Sequence, residues 1–448
     1  MGFSEKFKKY EEEAFKLLED VISYPTVLDE FKEDSDEPFG KANRECLEFV
    51  LNKAKADGFK TYNALNYAGH IEYGLGDEIL GILVHLDVVP VNKSEWDSDP
   101  FKLTIKDNKL IARGVEDDKG AFVANYIALK MLKDEGFIPN KRIRIIIGCN
   151  EESGSRCVRK YFTLQPEPDI AYSPDASFPC INGEKAMAGY DIKVNDNVIT
   201  YFKSGERYNI VPSYAEMRIN INLEKEYLKF LNDNNFKGEV ADGLYKAYGV
   251  AAHSMCPYKG LNAAYILFDF LKKYSNSRLA EFIDKYYLWD VYGKKAGYSD
   301  YDSEMKELTS NFAIVDINDS IGRFGVNCRM PKDSDGELVK NAISNIIKDY
   351  NYEILKFHSG NRHYVDPNSF LVKTLVDTYS QVTGDKENKA YSIGGGTYAR
   401  ECHNDAVAFG PQFIGREDVC HIANEYMYIE DFYKIIEIYY NAIYNLSK

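Results

Sequence analysis

Two largely apolar runs, the first interrupted by His85 and Asp87 and the second opening with Arg142 and Arg144, bracket a helix-like segment, and that order limits the folds open to this chain. Residues 79–89 and 142–149 lack the alternation of a half-exposed strand, so each reads as a strand buried on both faces. Between them, residues 119–134 (KGAFVANYIALKMLKD) read as a helix ended by Gly136. Strand, helix, strand in this order implies βαβ units, hence an α/β class with a mostly parallel central sheet flanked by helices. Helical spacing also marks residues 4–23 through Phe7, Tyr10, Ala14, Leu17, Leu18, Val21 and Ile22, stopped before Pro25. Beyond residue 184 the pattern changes. YDIKV and AEMRINI alternate with period 2, as half-exposed antiparallel strands do. Helical stretches 260–274 and 335–350 follow, separated by the strands FAIVDIN and FGVNCRM. The buried pattern returns with helix 368–382, strand AVAFG and a helix near 430–446. The 448 residues exceed one ordinary core. The expected organisation is one α/β domain over 1–184 and 365–448, interrupted by an α+β insert over 185–364.

Composition narrows the function classes. Lys and Arg total 55 against 70 Asp and Glu, a formal net charge of −15. That balance disfavours nucleic acid or an anionic membrane as a partner. No apolar run approaches the ~20 residues needed to span a bilayer. The opening stretch MGFSEKFKKYEEEAFKLLED has no apolar h-region and does not read as a signal peptide. The eight cysteines are scattered and form no CxxC pair, which points to reduced thiols and a cytoplasmic location.

Polar residues sit at chemically suggestive places along the buried strands. In GILVHLDVVPV, His85 and Asp87 share one face near the carboxyl end of the strand. Open α/β sheets bind ligands beyond those ends. A carboxylate there can accept the second ring N–H of His85 and leave the other nitrogen to a metal; a satisfied core pair is the plain alternative. RGVEDDKG sets Asp117 and Asp118 at the mouth of helix 119–134, as caps or as ligands. GCNEESGS sets Glu151 and Glu152 directly after strand 142–149, where a solvated loop pair and a functional pair both fit. AYSPDASFP carries Asp175 in a turn, and GREDVCHIANE carries His421 in a loop after AVAFG. Together His85, Asp117, Glu152, Asp175 and His421 form an imidazole and carboxylate set without thiolates, which suits Zn2+, Mn2+ or Co2+. Five donors are too many for one tetrahedral site. They fit two metals ~3.5–4 Å apart sharing one carboxylate, with a non-ligand carboxylate as general base.

The order HLDVVP, GVEDDKG, NEESGS, SPDASFP, AAHSMCPYKGLNA, GGGTYAR and CHIANE resembles the co-catalytic dinuclear-zinc peptidase and deacylase family. That family includes acetylornithine deacetylase, succinyl-diaminopimelate desuccinylase, aminoacylases and glutamate carboxypeptidase. GERYNIVP, SIGGGTYAR and FGPQF are most similar to its PepV-like bacterial dipeptidases. The resemblance implies that His85, Asp117 and Asp175 hold one metal, and Asp117, Glu152 and His421 the other, with Asp117 bridging. It implies Glu151 as general base, Asp87 as the residue orienting His85, and His253 as the group that stabilises the oxyanion. It further implies a ferredoxin-like α+β lid over 185–364 that closes on the substrate.

Substrate contacts implied by the same resemblance are Arg329 in VNCRMP and Asn209 in GERYNIVP. A guanidinium recognises a peptide carboxylate in bidentate fashion. Gly394, Gly395 and Gly396 let backbone N–H groups approach a carboxylate closely, and GGGT lacks the Lys-Ser/Thr ending of a P-loop, which rejects nucleotide binding. Arg400 fits an active-site role or a helix cap. GEKAMAGYDI and Ile422 depart from common family wording at positions that supply no ligand. All seven expected metal and catalytic positions are filled, so an inactive relative is not expected. The expected activity is hydrolysis of a dipeptide by a metal-activated water, with two divalent ions, Zn2+ foremost and Mn2+ or Co2+ as alternatives. The rivals are an N-acyl-amino-acid deacylase or desuccinylase, a non-enzymatic metal or peptide-binding protein, and a purely structural α/β protein. The long lid resembles the branch in which extra lid residues replace a dimer partner, so a monomer is expected, with a dimer as the alternative.

Overall fold

A computed structural model describes residues 2–448. Its contacts divide the chain into two units, Met1–Asn182 with Tyr364–Tyr391 and Gly396–Lys448, and Gly183–His363 with Ser392–Gly395. The short return of 392–395 to the second unit differs from the sequence expectation. It follows from local pairing, since the Lys185 N–H donates to the Ile393 carbonyl.

In the first unit the central sheet contains β1 (Lys60–Ala64), β2 (Ala68–Tyr73), β3 (Ile79–His85), β4 (Arg142–Gly148), β5 (Ile170–Ser173) and β6 (Asp405–Ala408). Their spatial order is β1-β2-β4-β3-β5-β6. The pairs β3/β4, β3/β5 and β5/β6 are parallel, whereas β1/β2 and β2/β4 are antiparallel. The sheet therefore has the expected parallel centre and an antiparallel edge that the sequence reading did not supply. All seven residues of β3 are buried. Burying Ile82, Leu83 and Val84 contributes roughly 1.5–3 kcal/mol each, which fixes the strand rigidly beneath His85. Helix α1 (Glu11–Ile22) packs on α2 (Lys119–Asp134), which lies against β3; a helix over Ile429–Ser447 packs on α2 as well. Helix α2 is buried almost all round, from Lys119 to Leu129, which explains why its apolar residues form no narrow stripe.

The second unit is built on one eight-stranded antiparallel sheet. Its order is 237–241, 244–248, 214–219, 199–204, 309–318, 321–330, 186–195, 353–359. That is twice the four strands of a single ferredoxin-like βαββαβ unit. Helices over Glu224–Asn234, Ala263–Tyr274, Arg278–Tyr286 and Gly336–Ile346 contribute to its separate aromatic-rich core, which includes Phe202, Phe268, Phe312 and Phe324.

Candidate metal centre

Parallel pairing lines up the carboxyl ends of the central strands. His85 ends β3 and stands opposite Gly148, the last residue of β4; Ala408 of β6 stands opposite Ser173, the last residue of β5. Glu151 and Glu152 therefore follow β4, and Asp175 follows β5, within a few residues of that edge. Gly148 is required there, because a Cβ would lie 2.0 Å from the Tyr398 hydroxyl, and the Tyr398 ring meets His85 edge-on at 6.1 Å.

The structure brings five of the singled-out side chains into two triads, His85–Asp117–Asp175 and Asp117–Glu152–His421, each with its ligand atoms within 4.8 Å of one another. His85 Nε2 lies 3.0 Å from Asp117 Oδ1 and 3.8 Å from Asp175 Oδ2. His421 Nε2 lies 2.8 Å from Asp117 Oδ2 and 3.0 Å from Glu152 Oε1. Asp117 thus turns one oxygen to each triad. His85 Nε2 and Asp117 Oδ1 are buried without a hydrogen bond, despite their proximity. Orphaned buried polar atoms are costly and rare, and a cation between them would satisfy both. Oxygen and imidazole donors without thiolates suit a borderline or hard divalent ion.

Electrostatics point the same way. Three ligand carboxylates, with Glu151 and Asp87 beside them, crowd one pocket. Burial, then the neighbouring Asp117 charge, push Glu152 up to about 7 and Asp175 up to about 6. Burial, then Asp175, raise Glu151 well above the usual carboxylate range. Burial would lower His421, but its bonds to Asp117 and Glu152 outweigh this and raise it to about 11. Burial would likewise lower His85, and its Asp117 and Asp175 contacts reverse that too.

Asp87 differs from expectation. The Nδ1 of His85 meets the main-chain carbonyl of Asp87 at 2.9 Å, while the Asp87 carboxylate stands 3.6 Å away. That carboxylate instead accepts the N–H groups of Glu151 (2.9 Å) and Glu152 (3.1 Å). A two-residue spacing on a strand sets the face, but the chain leaves β-structure at Leu86 and turns the carbonyl inward. The main-chain bond still leaves Nε2 as the free acceptor, and Asp87 pins the turn that holds both glutamates. Asp118 does not cap α2 either. Its Oδ2 accepts the backbone N–H of His85 at 3.0 Å, tying the Asp117 loop to β3.

The second unit gathers most of the remaining candidates. The Ser254 N–H donates to the Asn209 carbonyl (2.8 Å), and Asn311 Nδ2 donates to the carbonyls on either side of Asn209, of Tyr208 and Ile210 (both 3.0 Å). Arg329, 5% exposed, donates to Ser254 Oγ (3.3 Å), Asn327 Oδ1 (3.0 Å) and the Gly394 carbonyl (3.0 Å). His253 Nδ1 accepts the Met255 N–H at 3.2 Å, so the neutral ring carries its proton on Nε2 and is a donor there. Gly394 packs on Met255, where a Cβ would approach to 2.5 Å. Gly396 belongs to the first unit, where a Cβ would meet the Arg400 guanidinium at 2.3 Å. Ser254, Asn311 and Asn327 carried no chemical signal in the sequence; only their neighbours did.

The family model of Peptidase family M20/M25/M40 matches residues 81–445. The chain belongs to that M20 peptidase family. A Staphylococcus aureus (strain USA300) protein named "putative dipeptidase" is 36% identical over 467 aligned residues, covering 99% of each chain. Among solved structures, the dipeptidase Dug1p of Saccharomyces cerevisiae superimposes with a TM-score of 0.59 at 16% identity, covering 99% of this chain and 98% of that one. The Bacillus subtilis YXEP protein, described as a dinuclear metal-binding M20 peptidase, gives a TM-score of 0.52 at 11% identity over 98% of both chains. This M20 chain is a metal-dependent hydrolase acting on peptide bonds. No helix among the described residues is long and apolar enough to cross a membrane.

Proposed function

We propose that this M20 peptidase is a dinuclear dipeptidase, with His85, Asp117 and Asp175 holding one ion and Asp117, Glu152 and His421 the other. The observation that carries this is Asp117, which offers one oxygen to each histidine. Bound by these residues, two such ions, Zn2+ foremost, would supply the Lewis acidity that makes an attacking water more acidic. Glu151 takes the proton from that water and returns it to the departing amine. Its carboxyl is raised by burial and is held next to the ligand Glu152 by Asp87, which suits a group that must both accept and release a proton. The Nε2–H of His253 donates to the developing oxyanion. Arg329 binds the substrate carboxylate, aided by Asn209 and by the backbone of Gly394, Gly395 and Gly396. The roles of His253, Arg329 and Asn209 rest on the family resemblance together with their own hydrogen bonding.

Replacing Arg329 by Met is expected to raise KM for dipeptides about 10- to 100-fold, the worth of a charged hydrogen bond, with a smaller change in kcat. Steady-state kinetics check this. Metal uptake carries its own pH signature. Glu152 at about 7 and Asp175 at about 6 must lose protons to ligate, as must the raised His421. All three have the same sign, so affinity rises with pH and falls as pH drops below 7. Titrations with Zn2+ at pH 5.5 and 7.5 read the difference. A panel of dipeptides and N-acyl amino acids, assayed with each metal restored to the apoprotein, tests the activity. Turnover of dipeptides supports the reading; turnover of N-acyl amino acids alone assigns a deacylase instead. Buried free thiols at Cys46, Cys149, Cys157, Cys180, Cys328 and Cys402 support a reducing, cytoplasmic setting. The eight-stranded sheet within one chain supports a monomer, which sedimentation would test.

A further inference from the structure

Glu425, in CHIANE, is fully buried in the first unit, four residues after His421. Its carboxylate sits inside the loop that ends at Asp117. Gly114 N–H donates to both oxygens at 3.1 Å, and Oε1 also accepts the N–H groups of Glu116 (2.9 Å) and Asp117 (3.2 Å). Arg113 Nη1 closes the ring with a 2.6 Å ion pair to Oε2, and its guanidinium lies over the Trp96 ring. The main chain of Glu425 adds one more bond, accepting the Ala112 N–H at 3.1 Å.

Every backbone N–H from Gly114 to Asp117 except that of Val115 is thus directed at one side chain. Such charge-assisted bonds fix a loop far more firmly than bonds to neutral acceptors. The consequence is geometric. The segment 421–425 delivers a histidine to one triad and, through Glu425, sets the position of the carboxylate that both triads share. We infer that Glu425 is the positioning residue of the metal centre: it places the Asp117 loop so that one oxygen faces each ion. This rests on the dinuclear reading above, and it adds a residue that touches neither ion.

The measurement is metal affinity of the full chain, by competition with a chromophoric chelator for Zn2+ and by the visible spectrum on Co2+ titration. Circular dichroism and thermal unfolding of the apoprotein report folding separately. Glu425→Gln, which keeps shape but loses the charge and one acceptor oxygen, is expected to weaken the looser of the two ions about 10- to 100-fold and alter the Co2+ spectrum. Excess Zn2+ should restore turnover with KM for dipeptide unchanged. Arg113→Met is the second variant, read in the same way should Glu425→Gln fail to fold; it removes the counter-charge and should shift affinity in the same direction. If the wild-type chain binds two ions and folded variants bind both with unchanged affinity and spectrum, Glu425 is a structural staple alone and the inference falls. If the wild-type chain itself takes up no ions, the dinuclear reading falls first, and the inference with it.

Discussion

Replacing Asp117 by Ala is expected to release both metal ions and abolish peptide turnover. Each other ligand serves one triad, but Asp117 faces His85 at 3.0 Å through one oxygen and His421 at 2.8 Å through the other. Its loss therefore removes a donor from both sites at once. The affinity change should exceed the ~100-fold that outer partners of a metal site produce. Glu152→Ala and Asp175→Ala each remove a donor from one triad, so each should loosen one ion more than the other. Elemental analysis after dialysis separates the cases: near zero for Asp117→Ala, and a fractional loss for either of the others. Equal metal content in all three variants would mean that Asp117 is not shared.

Replacing Glu151 by Gln should have the opposite signature. The side chain lies beside the ligands but outside both triads, and it is held by the Asp87 contact to its backbone rather than through its own carboxylate. Metal content should stay at the wild-type level while kcat falls about 10^2- to 10^4-fold, the range for loss of a general base. KM should move little, because the missing interaction belongs to proton transfer. A variant that keeps wild-type turnover would remove Glu151 from the chemistry and leave the hydrolysis without its assigned proton carrier.

The parts of the fold legible in sequence were those where burial writes an unmistakable pattern. β3 is apolar and buried on both faces up to His85, β4 is buried from Ile143 onward despite Arg144, and their order with α2 leaves few topologies. The edge formed by β1 and β2 escaped because KTYNA and AGHIEY mix polar with apolar residues without clean alternation, and Glu72 is buried by pairing with Arg144. The candidate metal-holding residues drew notice because histidines and carboxylates stand out at the ends of buried strands. Asp87 shows the limit of that reasoning: strand periodicity cannot say that a carbonyl, and not a carboxylate, will face the imidazole. Glu425 and Asp118 act through backbone N–H groups, which every residue but proline carries, so no residue-type pattern can mark their partners. The split of Gly394 from Gly396 between two units likewise depends on tertiary pairing through Ile393.

The most direct measurement is the metal stoichiometry of the full-length chain, taken by titrating chelator-stripped protein with Zn2+ while following bound metal and dipeptide turnover together. Two ions per chain are expected, with turnover appearing as the sites fill. Full turnover by the stripped protein, or saturation at a single ion with no further change on adding more, would contradict a centre built around a shared Asp117.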